Sequence, residues 1–251
     1  MRSTWPIHRR ELTLLGCGYA VLVGLWIGFG ELITGPLAHS ALTRNDQRIA
    51  EWMVAHRTPT WNHLTLLGSD MAETLTKVVV TAVLAVVLLA VWKRWLEPIV
   101  LMVSLVIEAA AFIVVTTVVD RSRPPVAHLD NSPVGSSFPS GHVAAAMAYL
   151  AITVVVFWHT RSRWARALSV TVTAAIPIIV ALSRMYRGMH FFSDVVAGAM
   201  LGGSAVLLTV TVLRNSPQGI EAMGQPTHRP TAADPSPSRQ LASALLVEEI
   251  S

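Results

Sequence analysis

The chain has 251 residues, of which 53% are apolar and only 14% charged, with a formal net charge of +4. A soluble domain carries about 25% charged residues, so this composition, with a mean hydropathy of +0.53, excludes an ordinary cytosolic enzyme, a disordered protein and a disulfide-stapled domain. Cys17 is the single cysteine and the arginines are scattered between apolar runs rather than massed on one segment, which gives no nucleic-acid footprint; the class that remains is a multi-spanning membrane protein.

A membrane-spanning helix needs about 20 mostly apolar residues. Six runs qualify in chain order: 12–30, 75–92, 98–119, 142–158, 167–182 and 195–213. They predict an all-α fold, a six-helix transmembrane bundle over residues 1–214. The first run exceeds the about 7–15 apolar residues of a secretion signal and reads as a retained helix. The fourth and fifth runs are short and should extend into polar, protein-lined ends, and Pro177 should bend the fifth. Within the long segment 36–74, residues 45–56 place Ile49, Trp52, Met53 and Val54 at helical spacing, as in a short amphipathic helix on the membrane surface. From 215 to 251 the composition turns to Pro217, Pro226, Pro230, Pro235 and Pro237, the pattern of a disordered tail.

Basic residues mark the cytoplasmic side. Arg9 and Arg10, Lys93 and Arg94, Arg161, Arg163 and Arg166, and Arg214 all fall on one side of six spans. Both termini are therefore expected in the cytoplasm of a cell-membrane protein. Trp92, Trp95, Trp158 and Trp164 flank the same loops as an interfacial belt. The opposite, extracytoplasmic loops carry Arg121, Arg123, Arg184 and Arg187, against that trend. Charge that opposes topology calls for a function.

Three clusters lie on that face: Arg121-Ser122-Arg123-Pro124, Ser137-Phe138-Pro139-Ser140-Gly141-His142, and Ser183-Arg184 with His190 and Asp194. Arginine forks fit phosphate oxygens. Ser140 and Gly141 precede an apolar helix whose free N–H groups favour an anion, with His142 in its first turn. His190 and Asp194 are four residues apart; on a shared helical turn, the carboxylate would accept a hydrogen bond from one imidazole nitrogen and leave the other for substrate. Glu108 falls mid-span, where a carboxylate is a functional candidate by default, although a hydrogen-bonded structural role is its first reading. Glu31 and Glu97 read as interfacial.

The pattern Arg123-Pro124, Pro139-Ser140-Gly141-His142 and Ser183-Arg184-x5-His190-x3-Asp194 resembles the three-part signature of the type 2 phosphatidic acid phosphatase superfamily. The resemblance implies a membrane lipid phosphate phosphatase that needs no metal and no other cofactor. It implies that His190 attacks phosphorus to form a phosphohistidine, that Asp194 orients it, and that His142 protonates the leaving oxygen and then activates water. Arg123, Ser140, Gly141 and Arg184 would hold the phosphate. The substrate would be a phosphorylated lipid of the bilayer: phosphatidate, a polyprenyl diphosphate or phosphatidylglycerol phosphate. One position departs from the signature. Seven residues before Arg123, where the family has a lysine, stands Thr116. Arg121 or Arg187 could supply the missing charge. The alternative is a relative of weak or no activity that binds or transports phosphorylated lipids. A vanadate haloperoxidase has a similar pocket, but those relatives are soluble.

Overall fold

In the computed structural model the described residues are 7–131, 135–217 and 219–220. The helices are α1 (Arg9–Thr34), α2 (Ala41–Ala55), α3 (Pro59–Asp70), α4 (Thr74–Trp92), α5 (Leu96–Val118), α6 (Gly141–Met147), α7 (Leu150–His159), α8 (Arg163–Tyr186) and α9 (Phe192–Arg214), with no strand among the described residues. Six candidate spans are long and apolar enough to cross a membrane: α1, α4, α5, α6 with α7, α8 and α9. The six-span expectation holds; the fifth span extends to polar ends at Arg163 and Tyr186, whereas the fourth, Gly141–His159, adds one residue at each end of its apolar run. The fifth runs unbroken through Pro177. The fourth is interrupted at Ala148 and Tyr149, a break its apolar pattern did not signal. The tail expected from 215 lies, beyond Ile220, outside the described residues.

Helices in lipid gain little from apolar burial, so close packing through small residues carries their association. Here α9 meets α6 through Gly198 and Gly202, where any side chain would collide with the carbonyl oxygens of Ser140 and Ala144. One apolar core joins α1, α5, α6 and α9 around Phe138 and Leu201, and a second joins α4, α5, α7 and α9 around Val100 and Leu213. α4 is peripheral: Val78, Val83, Val86 and Val91 face outward, as lipid-facing residues do. At the end away from the arginine loops, His159 bonds the buried Glu97 at 2.8 Å while Trp92 stacks on its ring.

The segment between the first two spans holds two helices. α2 matches the expected amphipathic stretch, but its apolar face does not lie on lipid. Ile49 and Met53 pack on Val180, Met185 and Val195, so α2 roofs α8 and α9 while Trp52 stays exposed. α3 was not foreseen. Thr58 caps it by accepting the Trp61 N–H, and Pro59 fills the first turn where no N–H partner is needed.

Candidate functional site

Two loops build the site, through residues 119–131 and 135–140 between α5 and α6, and 187–191 between α8 and α9. Backbone bonds brace the first loop and tie it to the second loop and to α9. The Ser137 N–H donates to the Arg121 carbonyl at 2.8 Å, the Leu129 N–H to the Arg187 carbonyl at 3.0 Å, and the Ser140 N–H to the Asp194 carbonyl at 3.0 Å. Gly188 turns the second loop at φ +77°, a conformation other residues rarely adopt, with the Ala127 carbonyl pressed against its open face. Past that turn the chain delivers His190 beside Ser137. The three sequence clusters therefore meet at one end of the bundle.

His190 does not sit on the helix with Asp194. It precedes α9, and the two groups are 3.9 Å apart, so the expected direct hydrogen bond is absent from this geometry. His190 Nδ1 bonds the Ser137 carbonyl instead, at 2.8 Å. A carbonyl only accepts, so Nδ1 carries the hydrogen, and a neutral ring then has a bare Nε2. Burial pushes the pKa of His190 well below its ordinary value, with Arg184 and Arg123 adding to the shift and the Ser137 carbonyl opposing it. Near neutral pH the ring is the neutral, nucleophilic form.

Asp194 is occupied elsewhere because it is wholly buried and needs neutralising. One oxygen accepts the Phe191 N–H at 2.8 Å at the start of α9, and the other pairs with Arg121. Arg121 also binds Asp46 of α2 at 2.9 Å and Ser193 at 2.7 Å, and stacks over Phe191. Asp46 accepts the Ser193 N–H at 3.0 Å and the Ser193 hydroxyl. The expectation that Arg121 replaces a cation beside phosphate is thus corrected: its charge neutralises two buried carboxylates. Arg187 is held by protein partners as well. It pairs with Asp130 and donates to the carbonyls of Asn62, at 3.0 Å, and Leu129.

The remaining candidates are Arg123, Arg184, Ser140, Gly141 and His142. Arg123 reaches the Met189 carbonyl at 2.6 Å, and burial lowers its pKa, with Asp194 opposing the shift. Arg184 binds Ser69 of α3 at 2.9 Å and Asp130 at 3.0 Å. Burial alone would raise the pKa of Asp130, but Arg187 and Arg184 hold its carboxyl below the ordinary value. Ser140 precedes α6 with a fully buried hydroxyl that has no hydrogen-bond partner among the described residues. Gly141 opens the helix, and His142 Nε2 lies 3.4 Å from Glu73, the residue that precedes α4. His142, Arg184 and Arg123 are all close enough to act electrostatically on His190. The Thr116 hydroxyl is likewise buried and unbonded among the described residues, and it brings no charge. Among those residues no group of three or more His, Cys, Asp or Glu is arranged as a metal centre.

Sequence reading missed Asp46, Ser69, Glu73 and Asp130. They come from segments without a motif, and Asp46 is buried only because α2 folds back over α9. Part of the signal was the amphipathic pattern of α2, which breaks at a carboxylate.

Comparison with known proteins agrees with this architecture. The family described as PAP2 superfamily matches residues 98–218. Human sphingosine-1-phosphate phosphatase 2 is 32% identical over 89 residues, which is 35% of this chain and 22% of that protein. The chain thus spans about a fifth of the length of that curated relative. The crystal structure of a transmembrane PAP2-type phosphatidylglycerolphosphate phosphatase from Bacillus subtilis superposes with a TM-score of 0.65 at 19% identity, covering 88% of this chain and all of that one. LpxE from Aquifex aeolicus gives 0.50 at 20% identity over 65% of this chain and 93% of that one.

Proposed function

We propose, from the premise that residues 98–218 belong to the PAP2 superfamily, that the chain is a membrane lipid phosphate phosphatase working through a phosphohistidine. The observation that carries this reading is the His190 ring. Its Nδ1–H is fixed on the Ser137 carbonyl and its Nε2 is bare, with Arg123, Arg184 and His142 around it. Nε2 bonds phosphorus as the bond from phosphorus to the lipid oxygen breaks. His142 gives its proton to that oxygen, which leaves as the lipid alcohol or phosphate. His142 then takes a proton from water, the resulting hydroxide attacks phosphorus, and inorganic phosphate departs as the phosphorus–nitrogen bond breaks. Arg123, Arg184, the Ser140 hydroxyl and the Gly141 N–H stabilise the charge on the phosphoryl oxygens. Asp194 acts behind His190, offsetting positive charge there through a short gap and fixing the loop through the Phe191 N–H.

Phosphate in the loops with the lipid tail between helices suits a substrate taken from the bilayer. The substrate classes are phosphatidate, a polyprenyl diphosphate and phosphatidylglycerol phosphate, and the human relative adds a sphingoid-base phosphate. The test is phosphate release by the purified protein from these four lipids, with excess chelator in a parallel arm and His190→Ala as control. The reading requires release from at least one lipid, unaffected by chelator and abolished in His190→Ala. Loss on chelation with recovery on adding a divalent ion would overturn the metal-independent mechanism. Binding of these lipids without release would favour the rival reading of an inactive binder, which the uncharged Thr116 supports.

The proposal includes an extracytoplasmic site in the cell membrane, resting on the arginine-rich loops and on the basic loops opposite them. Asn131→Cys and Ser162→Cys, each in a Cys17→Ser background, test it, since both positions are exposed. An impermeant thiol reagent added to intact cells should label Asn131→Cys and spare Ser162→Cys. The reverse pattern, or equal labelling, contradicts the orientation.

A further inference from the structure

A helix leaves its last carbonyls without intrahelical partners, and each needs a donor from elsewhere. At the end of α8 the donors can be named one by one. The chain turns back at Gly188, so that the Gly188 and Met189 N–H groups donate to the carbonyls of Met185 and Arg184, each at 3.0 Å. The Arg187 carbonyl takes the Leu129 N–H. The Tyr186 carbonyl has no backbone donor among the described residues. A side chain from far earlier in the sequence meets it instead. Arg57, in the link between α2 and α3, donates to it from Nε at 3.0 Å and from Nη2 at 2.8 Å. A cation also suits the negative end of the helix dipole.

The same guanidinium reaches a second element. Its Nη1 donates at 2.8 Å to the Ala127 carbonyl in the first loop, which likewise has no backbone donor among the described residues. The neighbouring Thr58 N–H donates to the Tyr186 hydroxyl at 2.8 Å, and the guanidinium lies 5.9 Å from the centre of that ring. Tyr186 is therefore gripped at both its carbonyl and its hydroxyl. A Cβ placed on Gly188 would lie 3.0 Å from Arg57 Nη2, so the guanidinium is seated against the turn itself. Just past that turn comes His190, and the loop that carries Ala127 also carries Ser137, whose carbonyl holds the His190 ring. A planar fork can bridge two carbonyls in a fixed geometry, where an ammonium is a single point of charge.

We propose that Arg57 is a positioning residue for His190. By bridging the Tyr186 and Ala127 carbonyls it fixes the first loop against the end of α8, and so sets the place where His190 Nδ1 meets the Ser137 carbonyl and Nε2 is left bare. It acts through the two loops and not on substrate. The assignment rests on the phosphatase reading for its effect on rate, but the state of the His190 ring can be measured without turnover. It draws the segment between the first two spans, which carries no signature residue, into the catalytic geometry.

The experiment has two arms on the purified full chain. The first reads the His190 ring by nuclear magnetic resonance of protein carrying isotopically labelled histidine nitrogens, its signals identified by their loss in His190→Ala. The second measures kcat and KM on whichever lipid wild type hydrolyses. Wild type should show one neutral tautomer, with the hydrogen on Nδ1. Arg57→Ala should show both tautomers and lower kcat by about ten- to a hundred-fold, the cost of a small misplacement of a reacting group. KM should stay near wild type, because Arg123 and Arg184 make their own contacts. Arg57→Lys keeps the charge but cannot bridge, and should fall between the two. Added guanidinium ion should restore part of kcat to Arg57→Ala, and sodium ion at the same concentration should not. Variants with the wild-type tautomer and kcat overturn the assignment, and wild type with the hydrogen on Nε2 overturns the geometry beneath it. Loss of kcat, KM and thermal stability in step, with no rescue by guanidinium, or failure of both variants to fold, marks a purely structural residue and overturns it as well. Mixed tautomers in Arg57→Ala, with no turnover of any lipid by wild type, would sink the phosphatase reading and leave the positioning role standing. Neither turnover in wild type nor a change of tautomer in the variants overturns both.

Discussion

Two arginine–carboxylate networks flank His190, and they are built differently. Behind it, Arg121 joins Asp46 and Asp194, whose side chains are 1% and 0% exposed. Beside it, Arg184 and Arg187 share Asp130, whose side chain is 18% exposed. The first network is sealed, every partner is satisfied, and it fastens α2 to the start of α9. The second reaches water, and Asp130 divides itself between two arginines. A sealed network fixes geometry, whereas an open one can exchange a partner for an arriving anion. The comparison shows Arg121 locked in a closed frame and leaves Arg184, under the proposed mechanism, to the substrate.

The sealed network should give the largest effect on stability. Arg121→Ala leaves two buried carboxylates without their counter-charge, which costs about 3–5 kcal/mol. Thermal unfolding of the purified protein checks this, and Asp46→Asn in the same chain should recover part of the loss by removing one orphaned charge. A stable, fully active Arg121→Ala would erase the distinction between the networks.

Arg184 and Arg187 sharpen the comparison from the open side. Arg184→Ala should keep near-wild-type stability and lose about ten- to a hundred-fold in kcat/KM, as one transition-state hydrogen bond to a charged group is worth roughly 1.5–3 kcal/mol. Arg187→Ala should show the opposite balance, a smaller loss of rate with a measurable loss of stability, because it holds Asp130 and the Asn62 and Leu129 carbonyls. Equal losses of rate in the two variants would mean that both arginines touch substrate or that neither does.

The contrast also explains what could be read from the chain alone. The spans were legible because each is an apolar run of membrane length, and α2 because Ile49 and Met53 keep helical spacing. The three clusters were legible as a set because their residue types suit a phosphate. Residue chemistry alone did not separate Arg121 from Arg123, which are two residues apart; only the resemblance did, by placing Arg123 in its signature. Their fates diverge only because Asp46, far earlier in sequence, folds over Ser193 and claims Arg121. Asp130 carries no spacing signal either, since its role arises when the segment 119–131 bonds the Arg187 backbone. The bond between His190 and the Ser137 carbonyl escaped for another reason. The four-residue spacing to Asp194 suggested a shared helix, but Gly188 and the cap at Phe191 keep His190 in the loop. Backbone carbonyls leave no mark in a side-chain pattern.

The claim at the centre of this account is that His190 Nε2 forms the bond to phosphorus. It is tested most directly by mixing the purified protein with a radiolabelled lipid phosphate, quenching at alkaline pH and mapping the label by peptide mass spectrometry. A phosphohistidine is stable to base and labile to acid, so alkaline quenching preserves it. The account predicts label on the peptide containing His190, absent in His190→Ala and longer-lived in His142→Ala, where the base that activates water is missing. Turnover that proceeds with label on another residue, or with none at any time point in either the wild type or His142→Ala, would contradict it.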